Sequence, residues 1–169
     1  MKRRVRWIAC SAALVLGASA FWQGLQVTRD CVYSDKVSRI VRFAVVTDLH
    51  STWYGEAQSG LIDAITREDP DAVLLAGDIV DDERPRDAAK AFLQAVTQKY
   101  PTYYVLGNHE FRIPAPEEVK DWARDLGVTV LDGTGETVAL NDQTVRICGV
   151  DDPACGTLSW QSQFDTVCR

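Results

Sequence analysis

The sequence predicts an α/β fold, a layered β-sheet with flanking helices. Short β-branched apolar runs alternate with stripes at helical spacing between residues 40 and 131. Three of the runs lead directly into polar clusters rich in Asp, Asn, His and Gly. A further pair of runs flanks Asn141-Asp142, which reads as a hairpin. Alternation of this kind argues for a layered α/β sheet, with helices packed on the strands.

The elements follow in order. Residues 40–46 are mostly apolar with three valines, the pattern of a buried strand. Leu61, Ile62 and Ile65 recur at helical spacing, and residues 72–76 form a second apolar run. Ala88, Ala89, Phe92, Ala95 and Val96 mark an amphipathic helix that must end before Pro101. Residues 103–106 predict a third strand. Val119, Trp122, Ala123 and Leu126 give another helical stripe stopped by Gly127, and residues 128–131 a fourth strand. Residues 138–140 and 145–150 are the arms of the hairpin. Beyond Pro153 the periodicity fades, so residues 154–169 are expected to be an irregular tail.

Ahead of residue 40 the chain changes character. Lys2, Arg3, Arg4 and Arg6 precede an uncharged stretch, residues 7–28, that includes Ala18-Ser19-Ala20. Residues 1–28 therefore read as a signal peptide or an uncleaved membrane anchor, placing the rest at the extracytoplasmic face of a cell membrane or outside the cell. Residues 29–39 read as a polar stalk with one short strand near residues 31–33. The domain proper spans residues 40–153.

Composition narrows the function classes. With 46% hydrophobic and 25% charged residues in 169, the chain can build one domain with a real core. The formal net charge is −6, and the four cations just named lie ahead of the apolar stretch. The remainder is more acidic still and repels a nucleic acid polymer at long range. Any phosphate handled here needs bound cations to supply local positive charge. The five cysteines, Cys10, Cys31, Cys148, Cys155 and Cys168, form no CxxC spacing, so a zinc–thiolate site is not expected. A few buried thiols and one bridge, such as Cys148–Cys155, are compatible with an oxidising compartment.

The chemistry-bearing residues sit just past strand ends. Thr47-Asp48-Leu49-His50 follows the first strand, Gly77-Asp78-Ile79-Val80-Asp81-Asp82 the second, and Gly107-Asn108-His109-Glu110 the third. In open α/β sheets ligands bind at this edge. Asp48, His50, Asp78, Asn108 and His109 would meet there, and both histidines of the chain fall in the set. Carboxylate, imidazole and amide oxygen suit a hard or borderline divalent ion. Asp48 and His50, two apart, share a face of an extended segment, and Gly77 and Gly107 let the chain turn sharply. A lone aspartate at a strand end is ordinarily a turn or cap residue. Three such clusters, each after a strand, are what favour the metal reading.

Asp48-x-His50, Gly77-Asp78-x-x-Asp81 and Gly107-Asn108-His109-Glu110, in that order over about residues 40–153, resemble the signature of the calcineurin-like metallophosphoesterases. Gly149-Val150-Asp151-Asp152-Pro153 resembles membrane-anchored bacterial members. The resemblance implies the N-terminal part of an αββα sandwich and two divalent ions, Mn, Fe, Zn or Mg. Asp48 and His50 would bind the first ion, Asp78 would bridge both, and Asn108 would bind the second. His109 would donate a proton to the leaving oxygen, Glu110 would orient His109, and Asp81 would support the metal ligands from behind or shape its loop. The substrate would be a small phosphomonoester or phosphodiester, or a lipid-linked phosphate, attacked in line by metal-activated water. The family carries three further histidines downstream, and no histidine follows His109 in this sequence. A fragment with incomplete metal spheres and impaired activity is therefore expected. The competing expectation is a non-catalytic, membrane-anchored module that binds a metal or a partner.

Overall fold

A computed structural model describes residues 24–168. The chain divides into an N-terminal unit, Met1–Asp30, and a second unit, Cys31–Arg169. In the first, residues 24–30 are exposed coil. The expectation of an anchor falls mainly on residues 1–23, which lie outside the described residues. Among the described residues, no helix is long and apolar enough to cross a membrane.

The second unit is an α/β domain. Strands β1 (Phe43–Val46), β2 (Ala72–Ala76), β3 (Thr102–Val105) and β4 (Thr129–Val130) pair in parallel in the order β1-β2-β3-β4. Helix α1 (Ser59–Glu68) joins the first two and α2 (Asp87–Thr97) the next. The short α3 (Asn108–Arg112) and α4 (Pro116–Asp125) follow β3. Each crossover steps to the next strand in the same direction, so right-handed connections put α1, α2 and α4 on one face of the sheet. That face holds the larger core: Val73, Leu75 and Tyr104 meet Leu61 and Ile65 of α1, Phe92, Leu93 and Val96 of α2, and Val119 and Ala123 of α4.

The opposite face is covered by an antiparallel hairpin, β5 (Thr134–Leu140) and β6 (Gln143–Gly149). Leu140 and Ile147 pack there with Ala72, Tyr103 and Leu131. The two faces alternate along each strand as the pleat requires: Val73 and Leu75 point to the helices, Ala72 and Leu74 to the hairpin.

Several expectations are corrected. The first strand begins at Phe43, not Ile40, because the backbone just before it is bonded to side chains. Asn141 Nδ2 donates to the Ile40 carbonyl at 2.7 Å, and Arg42 N–H donates to Asp71 Oδ2 at 2.7 Å. No strand forms at residues 31–33, where Val32 and Tyr33 are more than nine-tenths exposed and have no strand to pair with. The tail is not irregular: a 3₁₀ turn, Pro153–Cys155, precedes helix α5 (Thr157–Val167). Its half-buried stripe is Trp160, Gln163 and Val167, and the polar Gln163 at its centre hides the period. The expected Cys148–Cys155 bridge is absent, since all four described cysteines are free. Nor are these thiols buried. Cys148 alternates with the inward-facing Ile147 and so points outward on β6.

Candidate metal centre

The three polar loops meet at the C-terminal edge of the parallel sheet, and the backbone shows how. Asp48, His50, Ser51 and Asp78 all adopt left-handed conformations, with φ of 55°, 46°, 49° and 54°. Non-glycine residues take this region at a cost of about 1–2 kcal/mol each unless neighbours impose it. Here the first loop is zipped to the second. Asp48 N–H donates to the Gly77 carbonyl at 3.3 Å, His50 N–H to Asp78 O at 2.9 Å, and Ser51 N–H to Ile79 O at 3.0 Å. The third loop approaches so closely that a Cβ on Gly107 would lie 2.5 Å from Asp78 N. Gly77 and Gly107 are thus required by loop-on-loop contact as much as by chain turning.

Glu110 ties the loops together from beneath. Fully buried, it accepts from Asp78 N–H at 3.0 Å, Val80 N–H at 2.8 Å, Gly107 N–H at 2.9 Å and the Tyr104 hydroxyl at 2.6 Å. The bond from Gly107 N–H satisfies the N-cap of α3 from its third residue, the one half of a capping box that a glycine N-cap allows. This corrects the expectation that Glu110 orients His109: all four donors to its carboxylate lie on the loop and strand framework. Burial, and then the neighbouring Glu110 carboxylate, push the Tyr104 hydroxyl pKa well above its usual value.

Above this hub the donor side chains converge. Ligand atoms of Asp48, His50 and Asp78 lie within 4.8 Å of one another, and so do those of His50, Asp81 and His109. His50 Nε2 is 3.6 Å from Asp48 Oδ1, and its buried Nδ1 has no hydrogen-bond partner, with Asp81 Oδ2 3.5 Å away. Asp48 and His50 reach the same point through two left-handed residues, not through the extended segment expected. The Asn108 amide, in the orientation that satisfies both neighbours, donates to Asp78 Oδ2 at 3.2 Å and accepts from Arg112 Nη2 at 2.9 Å. Asp78 Oδ1 accepts from His109 N–H at 2.9 Å. His50 Nε2, which has no hydrogen-bond donor on it among the described residues and faces the Asp48 carboxylate beside Asp78, completes a donor set that fits a divalent cation.

Asp81 has two jobs. Its Oδ1 accepts from Glu83 and Arg84 N–H at 2.9 Å each, which shapes the second loop, while Oδ2 faces both imidazoles. The two rings meet edge to face, with centroids 4.4 Å apart. Asp82 is a residue the sequence reading missed. Its Oδ1 is 2.7 Å from His109 Nδ1, and that hydrogen bond is the main reason its carboxyl pKa lies below the usual value. The signal available was the doubled aspartate, Asp81-Asp82.

Asp151 and Asp152, neighbours in the chain, separate sharply. Asp152 caps the 3₁₀ turn by accepting from Ala154 N–H at 2.8 Å. Asp151 is buried and accepts from Leu106 N–H at 3.0 Å, from Lys120 Nζ at 3.0 Å and from Gln163 Nε2 at 3.2 Å. It therefore holds the backbone just before Gly107. Lys120 is buried as well. Burial draws its pKa down, but the bonds to Asp151 and Glu117 more than offset this and leave it raised. Trp53 is half exposed, while Tyr54 and Trp122 pack on the larger core.

A family model described as calcineurin-like phosphoesterase matches residues 41–153. No curated protein matches the chain.

Proposed function

The chain belongs to the calcineurin-like phosphoesterase family, and on that premise we propose that it is a metal-dependent phosphoesterase acting on a small phosphomonoester or phosphodiester. The observation that carries the reading is the convergence of Asp48, His50 and Asp78 from two separate loops, with Asn108 and His109 both bonded to the Asp78 carboxylate. Asp48, His50 and Asp78 would hold one divalent ion, and Asp78 with Asn108 a second. Bound ions of this kind supply Lewis-acid charge to a phosphoryl group and lower the pKa of water. His109 moves the proton at the leaving oxygen, through Nε2. Asp82 fixes its ring by accepting from Nδ1, and Asp81 is placed to accept from His50 Nδ1, which turns Nε2 of that ring toward the ion. The N-terminal segment, read as an anchor, makes a lipid-linked phosphate at the outer membrane face the substrate class best matched to location.

The test is metal uptake and turnover by the same protein. Calorimetry should show Mn²⁺ binding weakened about tenfold or more by Asp78→Ala. The loaded chain should hydrolyse bis-p-nitrophenyl phosphate only slowly, because no histidine follows His109 to complete the metal spheres. Mn²⁺ binding with no turnover would favour a non-catalytic metal-binding module, and no Mn²⁺ binding would overturn the reading.

A further inference from the structure

Arg112 ends α3 and is exposed, yet its guanidinium lies back along the site. Nη1 is 3.2 Å from His109 Nε2, and Nη2 is 2.9 Å from the Asn108 amide oxygen. The tautomer of His109 that satisfies both its neighbours carries the proton on Nδ1, facing Asp82, and the lone pair on Nε2, facing Arg112. The nitrogen assigned above to proton transfer is therefore covered by a cation.

The partners of that cation are neutral, as are those of Arg84, which bonds His50 O and Thr52 Oγ1 at the rim of the same site, but unlike those of three arginines elsewhere in the domain. Arg124 is paired with Asp121 and Asp132, Arg39 with Asp142, and Arg86 with Glu118. Among the described residues, no carboxylate is ion-paired with Arg112. A guanidinium held by an imidazole and an amide gains by moving to a phosphate, because charge-assisted bidentate bonds are about twice as strong as those to neutral acceptors. The local charge calls for such a move. Asp48, Asp78, Asp81 and Asp82 line the site with Glu110 beneath, so two divalent ions neutralise only the four lining carboxylates.

Resting on the phosphoesterase reading, we propose that Arg112 is the residue that recognises the substrate's phosphoryl group. Its two terminal nitrogens leave His109 Nε2 and the Asn108 amide and take two phosphoryl oxygens. Two consequences follow. His109 Nε2 is uncovered when an anion occupies the site, and a dianionic monoester is favoured over a monoanionic diester.

The test is anion binding by the Mn²⁺-loaded full chain, measured by calorimetry at pH 8 with inorganic orthophosphate and with dimethyl phosphate. Arg112→Gln should weaken orthophosphate binding about tenfold and dimethyl phosphate binding less. Arg67→Gln removes the same charge from the exposed last turn of α1 and should change neither by more than about twofold. Arg112→Lys should fall between wild type and Arg112→Gln, because it keeps the charge and loses the fork. Orthophosphate binding by Arg112→Gln within twofold of wild type, with Mn²⁺ uptake intact, overturns this proposal alone. Full affinity in Arg112→Lys overturns the two-point contact. Failure of the wild-type chain to take up Mn²⁺ overturns the phosphoesterase reading and this proposal with it.

Discussion

Two regions of the domain place non-glycine residues in the left-handed conformation, for opposite reasons. At the tip of the hairpin, Asn141 and Asp142 have φ of 46° and 60°. They form a two-residue loop between Leu140 and Gln143, and the right-handed twist of the flanking strands favours that geometry. Asn and Asp tolerate it, so the turn is self-sufficient. At the candidate metal centre, Asp48, His50, Ser51 and Asp78 share the conformation, and no hairpin demands it. They are held there by bonds to other loops, and those loops are held by Glu110. The strain at the centre is stored by tertiary structure, whereas the turn's conformation is written locally.

The largest test of this difference removes the hub. Glu110→Gln puts an amide NH₂ against backbone N–H groups and should cost about 3 kcal/mol. By differential scanning calorimetry Tm should fall by about 10 °C, with Mn²⁺ uptake lost in parallel. A stable variant with normal uptake would show that the site loops hold themselves, as the hairpin does.

A smaller effect is expected from Tyr104→Phe, which deletes one donor to the hub and costs about 1 kcal/mol. It also has a pH signature. The folded-state pKa of Tyr104 is raised above 10.0 by burial and by Glu110. Its stabilisation is therefore complete below about pH 10 and is lost as pH rises through the folded value. Urea unfolding between pH 8 and 11 should show a steeper alkaline decline for wild type than for Tyr104→Phe. Equal slopes would mean the hydroxyl is not the titrating group.

The smallest effect sharpens the contrast most. Asp48→Gly and Asp142→Gly each relieve a left-handed residue; Asp48→Gly should stabilise by about 0.5–1 kcal/mol, seen as a raised urea midpoint, and Asp142→Gly by less, because it gives up the exposed Arg39 ion pair. Asp142→Gly should leave Mn²⁺ affinity unchanged, while Asp48→Gly should weaken it about tenfold or more. Equal metal affinity in the two variants would remove Asp48 from the ligand set.

Much of the framework was legible in the sequence. Short apolar runs gave β2 and β3 to within a residue, and the stripes of Leu61–Ile65 and Ala88–Val96 gave α1 and α2. The hairpin was legible because Asn141-Asp142 carries its own turn chemistry. The three polar clusters were legible as one site because a parallel sheet sends every strand's C-terminal end to the same edge. α5 was not legible, since a helix that buries only Trp160, Gln163 and Val167 in part leaves almost no apolar period.

The sequence by itself determined the order of the strands with α1, α2 and α4, the family resemblance, and the choice of Asp48, His50, Asp78, Asn108 and His109 as candidate site residues. These depend on periodicity and spacing along the chain. Only the tertiary structure decided that Glu110 braces backbone while Asp82 holds His109, that Asp151 and Lys120 are buried together, and that Arg112 lies over the imidazole. The reason is physical: a polar side chain's role is fixed by the unpaired donors and acceptors it meets once distant loops close on it, and nothing in its own neighbourhood of the chain specifies those partners.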